Sequence, residues 1–65
     1  MRVTLDVVGD ESHEFEVTDE TYADLLADVG LSPHEVSVLV DGRPVPEDKQ
    51  VAAPEARVVR LVRGG

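Results

Sequence analysis

Cysteine is absent from this chain of 65 residues. That excludes a disulfide staple, a thiolate metal centre and a thiol nucleophile. Basic residues are few, 6 against 14 acidic ones, and Lys49 is the single lysine. A net charge of −8 rules out nucleic acid and anionic membrane as direct partners, because both demand a positive footprint. Long apolar runs are missing too; none nears the roughly 20 residues that span a bilayer. The strand pattern begins at Met1 and leaves no stretch for a secretory signal, so the expected location is the cytoplasm. The length allows one domain, which buries only about 60% of the surface its unfolded form exposes. Such a chain is too small to enclose a deep substrate cavity. A substrate, carrier or binding module is expected rather than an enzyme, with no cofactor.

Hydropathy alternates with a period of two over Met1, Val3, Leu5 and Val7, which predicts a half-buried strand. Val8 adds an apolar residue to the opposite face. Gly9-Asp10-Glu11-Ser12 supplies turn chemistry, and a second strand follows with Phe15 and Val17 inward and Glu14 and Glu16 outward. Thr18 or Asp19 is the expected cap of a helix, with Asp19, Glu20, Asp24 and Asp28 on its polar side. Its apolar face is Tyr22, Leu25, Leu26 and Val29, and Gly30 followed by Leu31 closes its C-terminus. Ser32-Pro33-His34-Glu35 could open a short helical turn with Ser32 as cap, but is read chiefly as a connection. Val36, Val38 and Val40 form a third strand, Asp41-Gly42 a tight hairpin turn, and Pro44-Val45 a brief return strand. A polar loop over 46–55 is anchored by Val51, and a last strand runs roughly from Ala56 to Val62.

This order of hairpin, helix, hairpin, loop and strand predicts an α+β roll of the β-grasp kind. A mixed sheet of four to five strands packs on one helix, with the first and last strands side by side in parallel. The expected core is Met1, Val3, Leu5, Phe15, Val17, Leu25, Leu26, Val29, Val36, Val38 and Val40. The faces of the last strand stay open. Arg57, Val59 and Leu61 share one, while Ala56, Val58, Arg60 and Val62 share the other.

The chain carries Gly64-Gly65 after this strand. Lacking Cβ atoms, two glycines can enter a channel too narrow for side chains, and the carboxylate behind them is a handle for activation. The bland alternative is a frayed terminus. His13 and His34 lie in different loops without a second ligand at metal spacing, so no metal is expected. Glu11, Glu14, Glu16, Asp19 and Glu20 form no oxygen cage for calcium. There is no phosphate-cradling glycine loop and no Ser-His-Asp arrangement.

The element order and the diglycine resemble the ubiquitin-like β-grasp family over the whole chain. The stretch from Leu31 to Asp48, with Leu-Ser-Pro-His-Glu-Val-Ser-Val-Leu-Val-Asp-Gly-Arg-Pro-Val-Pro-Glu-Asp, and the ending Arg60-Leu-Val-Arg-Gly-Gly are similar to the small archaeal modifier proteins of haloarchaea. The resemblance implies a β-grasp domain over 1–62 and a flexible diglycine tail over 63–65. It implies that an E1-like activating enzyme uses ATP to adenylate the Gly65 carboxylate, with Gly64 giving the tail a slim approach. The acyl group then passes to target lysines as an isopeptide bond, or becomes a thiocarboxylate for sulfur transfer, as in tRNA thiolation. With nothing after Gly65, no proteolytic maturation is expected. Partners implied are the activating enzyme, target protein lysines, tRNA-thiolation enzymes and a deconjugating metalloprotease, with the modifier itself a monomer. The alternatives are a dedicated sulfur carrier for molybdopterin or thiamine synthesis and a non-covalent β-grasp interaction module.

In the same resemblance Leu39 matches an exposed apolar recognition patch, with Val59 beside it on the outside. A lone exposed leucine is otherwise ordinary. Arg60 and Arg63 stand near the reactive end, either to contact the activating enzyme or to keep an apolar strand soluble. Lys49 is the one internal amine through which lysine-linked chains could grow, against the ordinary reading of an exposed loop lysine. Similar proteins can carry a lysine in the last strand; this chain has Arg57 there, which puts linkage through that strand in doubt.

The acidic surface has two explanations, a basic partner that it steers toward itself or a high-salt cytoplasm. In molar salt the Debye length shrinks to about 3 Å and self-repulsion is largely screened. Unfolding followed across a potassium chloride series is expected to show stability rising with salt. Full stability in salt-free buffer would count against the high-salt explanation.

Overall fold

Alternation over the first seventeen residues does build a hairpin. In the computed structural model, which describes residues 1–61, β1 (Arg2–Val7) pairs antiparallel with β2 (Ser12–Glu16). Gly9 turns the chain between them at φ 84°, a left-handed angle that side chains rarely adopt. The Met1 ammonium donates to the Val17 carbonyl at 2.8 Å and the Val17 amide donates back to Met1 at 2.8 Å. Met1 therefore closes the open end of the ladder. Met1 is 50% exposed, which corrects its expected place in the core: it lies beyond the last strand pair, Arg2↔Glu16, where the sheet covers it only in part.

Helix α1 spans Tyr22–Asp28. Its cap is Thr21, not Thr18 or Asp19. The Thr21 hydroxyl accepts from the Asp24 amide at 3.3 Å, and the Asp24 carboxylate accepts from the Thr21 amide at 3.0 Å. This reciprocal capping box satisfies two otherwise orphaned donors, and it leaves Asp19 and Glu20 ahead of the helix. Gly30 ends it at φ 77°. The Leu31 amide then donates to Leu26 at 2.9 Å and the Gly30 amide to Ala27 at 3.1 Å, a Schellman closure. The Ser32 segment is one 3-10 turn, Pro33–Glu35, capped by the Ser32 hydroxyl. It is the helical alternative of the two readings, and it delivers the chain directly into β3 (Val36–Val40).

β3 turns at Asp41 (φ 54°) and Gly42 (φ 78°) into β4 (Arg43–Val45). Two successive left-handed residues match the twist of a two-residue hairpin, which explains Asp-Gly there. The last strand, β5 (Glu55–Arg60), starts one residue earlier than expected and stops before Leu61; Val62 lies outside the described residues. The sheet order is β2-β1-β5-β3-β4. β5 runs parallel to β1 and antiparallel to β3, so the first and last strands are central neighbours. The architecture is the α+β ubiquitin-like β-grasp, a five-stranded mixed sheet covered by one helix.

The register settles the faces of β5. Ala56 and Val58 are buried and Arg57 is exposed, because the helix-side volume between β1 and β3 is already lined by Leu5, Val7 and Val38. The core is Val3, Leu5, Val7, Val17, Tyr22, Leu25, Leu26, Val36, Val38, Val51, Ala56 and Val58. Phe15, Val29 and Val40, expected inside, pack against it half-buried. Full burial of each large aliphatic side chain contributes about 1.5–3 kcal/mol.

Thr21→Ala removes the hydroxyl half of the capping box. It is expected to lower stability by about 1 kcal/mol, read as a shifted urea midpoint with an unchanged slope.

Candidate functional site

Alternation on the sheet turns one parity of each strand toward the helix and the other outward. On the outward face β3 contributes Ser37 and Leu39 and β5 contributes Arg57 and Val59, paired Ser37↔Val59 and Leu39↔Arg57. Leu39 and Val59 are therefore diagonal neighbours on one face, both half-buried. Continuing the alternation places Val8 and Leu61 on this face beyond the paired residues. The Val8 amide donates to Val58 at 2.9 Å and the Leu61 amide to Glu35 at 2.8 Å, prolonging both ladders. Val8 is 46% and Leu61 55% exposed. Val8, Leu39, Val59 and Leu61 thus form an apolar strip climbing toward the exit of β5. Sequence reasoning set Val8 on the outer face but did not join it to Leu39. The signal was the parallel β1–β5 register, which parity alone does not supply.

Arg60 sits at the end of β5, on the parity of Val58, where it pairs with core residue Val36. Its guanidinium reaches out to the Asp10 carboxylate of the β1–β2 turn at 3.7 Å. This exposed contact contributes about 0–1 kcal/mol, so it orients the side chain without locking it away. Arg57 makes a similar contact with Asp6 at 3.8 Å. Arg63, Gly64 and Gly65 lie outside the described residues.

Lys49 stands at the other end of the molecule, on a loop held to the helix N-terminus. Its amide donates to Pro46 at 3.1 Å and its carbonyl accepts from Tyr22 at 3.2 Å. The Ala23 amide donates to Glu47 at 2.8 Å and the Val51 amide to Glu20 at 2.9 Å. Loop carbonyls thereby satisfy the first helical amides, whose donors have no intrahelical partner. The backbone of the sole lysine is fixed while the residue stays exposed. Met1 carries the other amine, which is engaged by Val17 and by the Glu16 carboxylate at 3.3 Å.

Two ionisable groups mark this clamp. The Glu20 carboxylate accepts from the Thr18 amide, the Asp19 amide and the Thr18 hydroxyl at 2.9, 3.0 and 3.1 Å. These bonds favour its charged form and hold it below the ordinary value of 4.5. Burial pushes the Tyr22 phenol above its ordinary value, partly offset by a hydrogen bond to the Ala52 backbone. His13 stands on β2 and not in a loop as expected, paired with Leu5 and with its ring centroid 6.5 Å from that of Phe15, and His34 is exposed on the 3-10 turn. Among the described residues no group of three or more His, Asp or Glu is placed to hold a metal ion, and no helix is long and apolar enough to cross a membrane.

The sequence profile described as small archaeal modifier protein 2 matches residues 1–62. The chain belongs to the small archaeal modifier protein 2 family. It is 59% identical to the small archaeal modifier protein 2 of Haloferax volcanii, over the full length of both chains. An uncharacterised protein of Archaeoglobus fulgidus is 34% identical, again over the whole of both. The crystal structure of the Haloferax volcanii modifier superposes with a TM-score of 0.72 at 58% identity, covering 97% of each chain. The Haloferax volcanii relative is named a modifier protein, and the apolar strip, the Lys49 loop and the diglycine are the features of this chain that bear on such a role.

Stability measured against pH tests the clamp. The Glu20 contribution is present above the unfolded value near 4.5 and is lost as pH falls through the lower folded value. Glu20→Gln is expected to be less stable than the parent at neutral pH, and the gap is expected to close on acidification. A gap unchanged by pH would show that the charge is not involved.

Proposed function

We propose that this chain is a protein modifier whose Gly65 carboxylate is adenylated by an E1-like activating enzyme. An identity of 59% over the full length of a named modifier protein, together with Gly64-Gly65, supports this reading. A carboxylate is a poor acyl donor because its oxygen leaves badly. Joining it to AMP, with release of pyrophosphate, supplies a leaving group. Attack by a lysine amine on a target forms the isopeptide bond and expels AMP, or a thiol where an enzyme thioester intervenes. Attack by a sulfur donor gives instead a thiocarboxylate for sulfur transfer, including tRNA thiolation. The protein itself supplies no catalytic group. Its domain is a handle over 1–62, and its tail over 63–65 is the part that enters the enzyme.

Ordering each tail residue in a narrow channel costs about 1–2 kcal/mol of backbone entropy. Contacts from the folded part must offset this, and the strip of Val8, Leu39, Val59 and Leu61 lies on the side toward which β5 carries the chain. Arg60, oriented by Asp10, is the cation of the described residues nearest the tail, with Arg63 further along. Lys49 is the acceptor through which copies would join into chains, since the Met1 amine is engaged in the ladder. A deconjugating metalloprotease would reverse the bond.

Deleting Gly64 and Gly65 is expected to abolish conjugates and thiocarboxylate in the native host, as read by mass spectrometry, while the thermal unfolding midpoint is unchanged. Leu39→Arg is expected to weaken adenylate formation with an intact tail. Conjugates surviving the deletion would overturn the reading. A thiocarboxylate without any isopeptide remnant would favour a dedicated sulfur carrier.

A further inference from the structure

The outward face holds a second feature, below the apolar strip and away from the exit of β5. A shallow groove crosses the strands there, lined by Thr4, Asp6, Ser12, Leu39, Asp41, Gly42, Glu55, Ala56 and Arg57. The register explains its layout. Leu39 faces Arg57, Arg57 faces Asp6, and Glu55 lies beside Thr4 one step down the strands. The left-handed Asp41 closes the end beyond Leu39. The floor is partly apolar, and three carboxylates ring it with one guanidinium.

The charges are incompletely matched. Arg57 is shared with Asp6 at 3.8 Å, and the Ser12 hydroxyl donates to the same carboxylate at 3.4 Å. Arg2 and Arg60 are committed to Glu14 and Asp10. Among the described residues Asp41 and Glu55 form no ion pair, although both border one depression. Like charges facing a common space repel, and a cation placed between them relieves that repulsion.

We propose that this groove receives an arginine-bearing extended segment of a protein partner. A guanidinium seated between Asp41 and Glu55 would bond their carboxylates through its planar fork, and its aliphatic stem would lie on Leu39. The site requires no activation of the tail. It is separate from the strip that serves the activating enzyme, sharing only Leu39 as a wall.

The test uses the full chain and a synthetic peptide of alternating alanine and arginine, with a citrulline analogue that has the same shape and no charge. Titration followed by amide resonances is expected to move Leu39, Gly42 and Arg57, and the citrulline peptide is expected to leave them in place. Asp41→Asn combined with Glu55→Gln is expected to weaken binding about tenfold. Asparagine tolerates the left-handed turn, so the pair retains the fold, which its thermal midpoint verifies. Glu11→Gln combined with Glu47→Gln removes equal charge elsewhere and is expected to leave affinity within about twofold. Equal losses in both double variants, shifts confined to other surfaces, binding of the citrulline peptide or no binding at all would each overturn the proposal. None of these outcomes bears on adenylation of Gly65, which the tail deletion tests separately.

Discussion

The parallel contact between β1 and β5 is the constraint on which the rest of this molecule depends. It brings the two ends of the chain's folded part into one ladder, from Thr4↔Glu55 to Val7↔Val58. Parallel neighbours cannot be joined by a tight turn, so everything from Val8 to Pro54 has to form the crossover. That span contains the second strand, the helix, the 3-10 turn and the β3–β4 hairpin. Each must close its own hydrogen bonds and still return the chain to the centre of the sheet. The Thr4 amide donating to Pro54 at 2.9 Å is where the return is made.

The same constraint sorts the surface. With β5 wedged between β1 and β3, its alternate residues are forced into opposite worlds. Ala56 and Val58 meet Leu5, Val7 and Val38, while Arg57 and Val59 face solvent. The strip of Val8, Leu39, Val59 and Leu61 and the acidic groove below it are both products of that register. One is apolar and directed toward the exit of β5; the other is charged and directed toward the Asp41-Gly42 turn. A 65-residue chain with no interior to spare thus carries two chemically different outer areas on one sheet face.

Strands and hairpins were legible in the sequence because their signals are local. Alternation from Val3 to Val7, Asp41-Gly42 and Gly30-Leu31 each act within a few residues, and each is used as written. The helix cap was misread because Thr18, Asp19 and Thr21 are equivalent by propensity. Only the partner three residues on distinguishes them, and Asp24 selects Thr21. Met1 fitted the period of two but lies past the last covered strand pair, which periodicity cannot see. The two faces of β5 were undecidable from its own residues, since valines stand on both; the choice is made by neighbours some fifty residues away in sequence. The candidate site follows the same division. Leu39, Val59 and Lys49 stand out by type, whereas the company of Val8 and Leu61, and the lack of an ion pair at Asp41 and Glu55 among the described residues, belong to tertiary placement.

Tyr22 is the chain's one tyrosine, there is no tryptophan, and its ring is 1% exposed at the point where the helix meets the Lys49 loop. Ultraviolet absorbance and emission therefore come almost wholly from one phenol wedged in that joint. The molecule carries a built-in optical reporter, and loosening of the loop can be followed in real time without attaching a dye to either end.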